Sequence, residues 1–409
     1  MSFGSKDKTK RFVENKPRIA IFARYSLSEQ YKLAAEFKDT LTYLSRMADV
    51  LHVSLKDHEE NRPCPEGIAI EELPLHVNRS SPIDILLKSL LMYASLPVVV
   101  FRLRRFHPDV VYLSEALPLY GLFLKWFCRT RVAITYGDRH LHNRLGAHWW
   151  SYPILKAAEA LERFELRHVD GVFTRTLAAQ DRIHQFGVAL PRIGVVYDVP
   201  DPTSFYPRDE RALRRQCGFG PDDIVLLYHG VMHCGKGLDM LLGWTAELYR
   251  EDPCIGIIMV GSGPEIVHLK ALANSLSLGQ RAVFTGWLPT TKDVGAYCCA
   301  ADICIAMRKG DASNDIVIPG ALVHSMACRK IVMAPRLRGM SEIIRHGENG
   351  FLFTPDDGND FKQWIRYLKQ HHDQWDRISS RAYQDTIENY IVPVAAAKYS
   401  DVLIYFAKL

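Results

Sequence analysis

Lys236 stands between Gly235 and Gly237 in the run HGVMHCGKGLDMLLGW, directly after the apolar stretch IVLLY. A lysine flanked by glycines can approach a diphosphate unhindered, and its ammonium can offset charge developing on a leaving group. A surface lysine in a glycine-rich turn would read the same locally. Two further glycine loops follow it. In GIIMVGSGPE, residues Gly261, Ser262, Gly263 and Pro264 lie between an apolar run and a helical pattern. Pro264 suits the first helical position and the glycines suit an anion at a helix N-terminus, although a tight strand-to-helix turn needs nothing more. It is not a dinucleotide fingerprint, because Ile266 stands where the third glycine belongs. In VFTGWLP, the loop at Gly286 and Trp287 can line a base pocket, or Trp287 can fill a core. Nearer the N-terminus, YGDRHLHNR places Asp138, His140 and His142 after the strand pattern RVAIT. There Asp138 or His140 could deprotonate an acceptor hydroxyl, or the histidines could be merely solvated. Trp149 and Trp150, just beyond, suit either a lipid headgroup boundary or a core.

The carboxyl ends of strands in parallel sheets would position these loops. Short apolar runs alternate with helical patterns, predicting strands at 18–22, 50–53, 109–113, 131–135, 171–174 and 194–197, and again at 224–228, 256–260, 282–285, 303–306, 331–334 and 350–353. This is an α/β protein with two doubly wound parallel-sheet domains. The run VPDPTSFYPR at 199–208 suits an exposed linker. The expected domains are 17–200 and 208–387, with an apolar last helix within 388–409 packing back on the first. In the loop after the first strand, Ser26 and Glu29 are spaced as a capping box, which makes helix capping the safer reading there.

Composition bounds the class. The 409 residues are 48% hydrophobic and 24% charged, which fits an ordinary globular chain of two domains. The nine cysteines form no C-x-x-C pair and read as reduced core thiols of a cytoplasmic protein. The first residues lack the apolar stretch of a secretory signal. The apolar run at 90–101 is too short to span a bilayer. A net charge of +5 makes no case for nucleic acid. Lys16, Arg18, Arg102, Arg104 and Arg105 nevertheless admit an anionic membrane surface, so a peripheral place on the inner face of the membrane is one expectation and a plain solvated basic patch the other.

The ordered set G-x-x-x-x-G-K-G-L-D, V-G-S-G-P, F-T-G-W-L-P and the segment ending in RGMSEIIRHGENGFLF resembles the donor-binding domain of glycosyltransferase family 4. The likeness is close over roughly 130 residues and looser in the first half, at 108–111 and in VDGVFTRT. SNDIVIPGALVHSMAC and VVYDVPDPTSFYP are also similar to the dolichol-pathway β-1,4-mannosyltransferase. The resemblance implies a GT-B fold, two Rossmann-like domains facing a central cleft, and transfer with retention and without a bound metal. It implies a UDP- or GDP-sugar donor as substrate, with no bound cofactor, held by Gly230, Gly235, Lys236, Gly261, Gly263 and Gly286.

The polar contacts depart from the family pattern. Val231 replaces the arginine that usually follows Gly230, and Arg308 and Lys309 either substitute for it or form a solvated basic loop. The family's two glutamates fall at Ile316 and His324. Neutral His324 can donate to and accept from ribose hydroxyls, or it is a helix-face histidine with a structural partner. Glu342 matches the family's G-x-x-E near the donor, and Ser341 and Glu342 also suit the start of a helix.

The expectation is therefore a hexosyltransferase acting on a glycan or lipid-linked acceptor. A catalytically silent GT-B partner subunit and a sugar-nucleotide epimerase are the alternatives.

Overall fold

The computed structural model describes residues 16–23, 41–55, 68–73, 90–114, 118–137 and 152–408. The first sheet contains β1 (Arg18–Ala23), β2 (Asp49–Leu55), β3 (Ile68–Leu73), β4 (Val110–Leu113), β5 (Arg131–Thr135), β6 (Gly171–Thr174) and β7 (Ile193–Val195). Its order is β3-β2-β1-β4-β5-β6-β7, and all pairs are parallel. Helices α1 (Leu96–Phe106), α2 (Tyr120–Cys128), α3 (Tyr152–His168) and α4 (Leu177–Gln185) belong to this half. Strand β3 is absent from the sequence-based list. It lies at the sheet edge, paired only with β2, and its IAIEEL stretch lacks the continuous apolar run of a central parallel strand.

The second sheet has β8 (Ile224–His229), β9 (Ile255–Val260), β10 (Ala282–Gly286), β11 (Ile303–Ile305), β12 (Ile331–Pro335) and β13 (Phe351–Phe353), in the order β10-β9-β8-β11-β12-β13. Every residue of β8 and β9 is buried, as expected when helices cover both faces. The helices of this half are α5 (Arg211–Gln216), α6 (Leu238–Glu251), α7 (Ile266–Ser275), α8 (Thr291–Ala300), α9 (Gly320–Ala327), α10 (Arg338–Ser341), α11 (Gly358–Gln370) and α12 (Trp375–Asn389). The amphipathic spacing of α6 buries Leu238, Leu241, Leu242 and Leu248 against the sheet, as their periodicity predicts. Cys298, Cys299, Cys304 and Cys328 are buried in the same half, and all eight described cysteines are free thiols.

The last helix, α13 (Val392–Lys408), lies on the first sheet. Leu403 and Phe406 pack with Ile19, Ile21, Val110 and Ala133. Gly171 makes room for it, since a Cβ there would stand 2.4 Å from the Phe406 ring.

Helix α2 begins at Leu119, a left-handed residue whose side chain offers no cap. Glu165 of α3 supplies the cap: its carboxylate accepts from Leu119 N at 2.9 Å and Gly121 N at 3.2 Å. Burial pushes the Glu165 carboxyl up to about 7, while the two N–H groups pull it back. A raised folded-state value means that the contribution of Glu165 to stability is full below about 4.5 and is lost as pH rises to about 7. The loss is on the order of 3 kcal/mol. Urea unfolding across this range should show wild type losing stability relative to Glu165→Gln; a constant difference would mean that Glu165 does not titrate there.

Candidate functional site

In each sheet the strand order reverses once, at β1/β4 and at β8/β11. Loops at the carboxyl ends of strands on either side of such a reversal diverge and leave a crevice, which is where open α/β sheets bind ligands. The Lys236 loop follows β8 and the Arg308 loop follows β11, so the two basic side chains flank the reversal of the second sheet.

After β8 the chain passes Gly230, at φ 136°, and forms a short 3-10 turn over Cys234–Lys236. His233 caps that turn, its Nδ1 accepting from Gly235 N at 3.2 Å. Lys236 is half-buried, and Gly237 takes φ 68° to start α6. The glycines predicted to cradle phosphate also hold the loops against one another. Gly230 N donates to Val260 O, Met232 N to Ser262 O and Gly261 N to Gly286 O. A Cβ on Gly261 would lie 2.2 Å from Gly230 O, and one on Gly263 would lie 2.3 Å from Met232 O. Pro264 is not the first helical residue: it lies in a turn and α7 starts at Ile266, because Gly263 is held against Met232 before the helix can begin.

Arg308 is not part of a solvated loop. It is 3% exposed, and its Nη1 donates to Asn314 Oδ1 at 3.2 Å. Asn314 Nδ2 donates in turn to Gly235 O at 3.2 Å, and Lys309 N reaches the same carbonyl. The Arg308 and Lys236 loops are thus tied at one backbone oxygen. Burial pushes the Tyr228 hydroxyl far above its ordinary range, and the nearby Arg308 charge pulls it back. That hydroxyl donates to Val231 O, so the Arg308 charge acts close to the position where the arginine is missing. Val231 itself is 47% exposed. Asn314 escaped the sequence reading; its only signal is its place in the polar run DASND.

His324 is buried on α9, with its ring stacked nearly parallel on that of Phe205 at 4.1 Å, and 5.5 Å from that of His229. The structural partner considered from sequence is therefore present in the form of this stack. Trp287 is 64% exposed, so it is not core filler.

Glu342 ends α10 rather than starting a helix, and Ser341 donates back to Leu337 O at 2.8 Å from inside it. The Glu342 carboxylate reaches the other half of the molecule, accepting from Leu177 N at 2.8 Å, Ala178 N at 2.7 Å and Tyr197 OH at 3.0 Å. It supplements Thr176, which caps α4 with its own hydroxyl and donates that hydroxyl's proton to Ile316 O at 2.7 Å. Ile316 is packed in the first sheet's core. One expected donor residue, Glu342, and one position of the lost glutamates, Ile316, both serve the contact between the halves here. Asp138, His140, His142, Trp149 and Trp150, like Ser26 and Glu29, lie outside the described residues.

The family of glycosyl transferases group 1 matches residues 223–371. Among curated proteins, the chain is 23% identical over 247 residues to the N-acetyl-alpha-D-glucosaminyl L-malate synthase of Bacillus anthracis, covering 59% of this chain and 62% of that protein. It is 28% identical over 192 residues to D-inositol 3-phosphate glycosyltransferase 2 of Catenulispora acidiphila, covering 45% and 44%. These matches span less than two thirds of the length of either relative. The sulfoquinovosyl transferase SQD2 of Arabidopsis thaliana is 26% identical over 400 residues, covering 94% of this chain and 73% of that one. Among solved structures, Anabaena HepE in complex with UDP superposes with a TM-score of 0.71 at 19% identity, covering 95% and 99%. The sucrose-phosphate synthase of Thermosynechococcus elongatus does so at 0.74 and 16%, covering 94% and 98%. With its two parallel sheets and the loop series at the β8/β11 reversal, the chain has the GT-B fold, and its residues 223–371 match the glycosyl transferases group 1 family.

Proposed function

We propose that this chain transfers a hexose from a UDP- or GDP-sugar to a glycan or lipid-linked acceptor, with retention of configuration. The observation that carries the reading is the pair of cationic loops at the β8/β11 reversal, tied through Gly235 O. In this proposal Lys236 and Arg308 meet the diphosphate. As the bond from the anomeric carbon to the phosphate oxygen breaks, the electron pair passes to the diphosphate, whose added charge these residues offset. Exposed Trp287 offers a face to the base, and His324 and Glu342 stand for the ribose and the donor sugar. Asp138 or His140 takes the acceptor proton. Anabaena HepE, similar in fold, is known in complex with UDP and with UDP-glucose, which makes UDP the first nucleotide to try.

The test is incubation of the full chain with a panel of nucleotide sugars. Transfer or hydrolysis that releases the nucleotide supports the proposal. Binding without turnover would instead favour the silent partner subunit, which the changes at Val231, Ile316 and His324 keep in view. Conversion of the sugar while it remains attached to the nucleotide would favour the epimerase.

A further inference from the structure

The outward face of the helix layer on the first sheet is apolar where a solvated helix would be polar. Along α1 and the turn of helix before it, Leu90, Ala94, Val98 and Phe101 recur at helical spacing and are all exposed, and the same stripe ends in exposed Arg104 and Arg105. Phe101 is 68% exposed. Beside it, α2 ends in Trp126, 59% exposed, and in exposed Phe127. The two stripes adjoin, because Arg104 Nε donates to Phe127 O at 2.8 Å. On the other flank Lys125 of α2 donates to His168 O at 2.8 Å, bringing in α3 with exposed Leu161 and Phe164. Apolar side chains scattered singly over a surface need no explanation, but a contiguous run over three neighbouring helices marks a docking surface.

Charge identifies what docks. Neither α1 nor α2 contains an acidic residue, whereas Arg102, Arg104, Arg105 and Lys125 lie on them and Arg129 follows α2. Where α1 and α2 end, a cavity of about 540 Å³ is lined by Arg104, His107, Pro108, Cys128, Arg129 and Thr130. The two helix ends direct carbonyls toward this region, and the arginines more than offset that partial negative charge. Exposed Phe and Trp beside arginines, on two adjoining helices that carry no acidic residue, match the interface of an anionic bilayer, where aromatic rings enter the headgroup region and guanidinium groups meet phosphate. We infer that this face docks on an anionic lipid bilayer, with Phe101, Trp126 and Phe127 entering the interface and the Arg104/Arg129 cavity receiving a lipid phosphate. The inference deepens the proposed function by bringing the first domain to the phase that holds a lipid-linked acceptor, and it rests on that reading for its purpose alone.

The experiment is sedimentation of the full chain with vesicles of phosphatidylcholine, and with vesicles in which part of it is replaced by phosphatidylglycerol. Wild type should sediment with the anionic vesicles and be released by salt. Phe101→Ser/Trp126→Ser and, separately, Arg104→Gln/Arg129→Gln should each weaken this by about tenfold or more. Trp126→Phe should retain binding, and thermal unfolding of each variant shows whether it is folded. Wild type remaining in solution would overturn the inference, as would a folded serine double variant that sediments like wild type. Self-association of the chain through this face without vesicle binding would assign it to a second copy and overturn the inference too. No sugar donor enters the assay, so a chain that binds vesicles but turns over no nucleotide sugar would sink the transferase reading alone.

Discussion

Lys236→Ala is expected to lower nucleotide-sugar turnover by about 10²–10³-fold, and Arg308→Ala by a similar factor, because each removes a preorganised cation from the leaving diphosphate. The double variant should lose less than the product of the two factors, since both charges serve one group and their loops meet at Gly235 O. Arg308→Lys should not restore the rate, because an ammonium cannot both bond Asn314 and present the rest of a planar fork. Val231→Arg in the Arg308→Ala background is the sharper test. It places a cation at the exposed residue after Gly230, and partial recovery is expected if Arg308 has taken over that duty. Initial rates of nucleotide release, with UDP affinity by calorimetry, report all of these. An unchanged rate for Lys236→Ala would remove that residue from the mechanism.

The second large effect is on stability. Gly261→Ala should destabilise the second domain by on the order of 3 kcal/mol, because the new Cβ would sit 2.2 Å from the backbone oxygen of Gly230 at φ 119°, and neither strand end can yield without losing sheet hydrogen bonds. Gly243→Ala is the control. Gly243 lies within α6, where an added Cβ would meet no atom within 4 Å, so alanine there should gain about 0.5–1 kcal/mol from helix propensity. Urea unfolding of the two variants measures both. Equal stability of Gly261→Ala and wild type would mean that the loops can separate, and that the glycine is required only for the ligand.

These outcomes bear on the position of Glu342. Its carboxylate holds the N-terminus of α4 and Tyr197, and burial together with the Glu342 charge raises the Tyr197 hydroxyl well above its ordinary value. A donor sugar that recruits Glu342 must compete with those three bonds. If the proposed donor contact of Glu342 forms, binding at the β8/β11 reversal and the contact between the halves are linked through that one side chain.

Residues close in the chain determined what could be read without a structure. The apolar runs that became β8, β9 and β12, the glycines that end β8 and β9, and the face of α6 all follow from backbone preference and periodicity over a few residues. The edge strand β3 lacked that signal because only one neighbour covers its edges. Tertiary structure alone decided the partners. The acceptor role of Glu342 depends on Leu177, 165 residues away, and the burial of Arg308 depends on Asn314 reaching the Gly235 carbonyl across 79 residues. Such pairings arise when sheet order brings distant loops to one edge, and no local pattern records which carbonyl or carboxylate will be there to meet them.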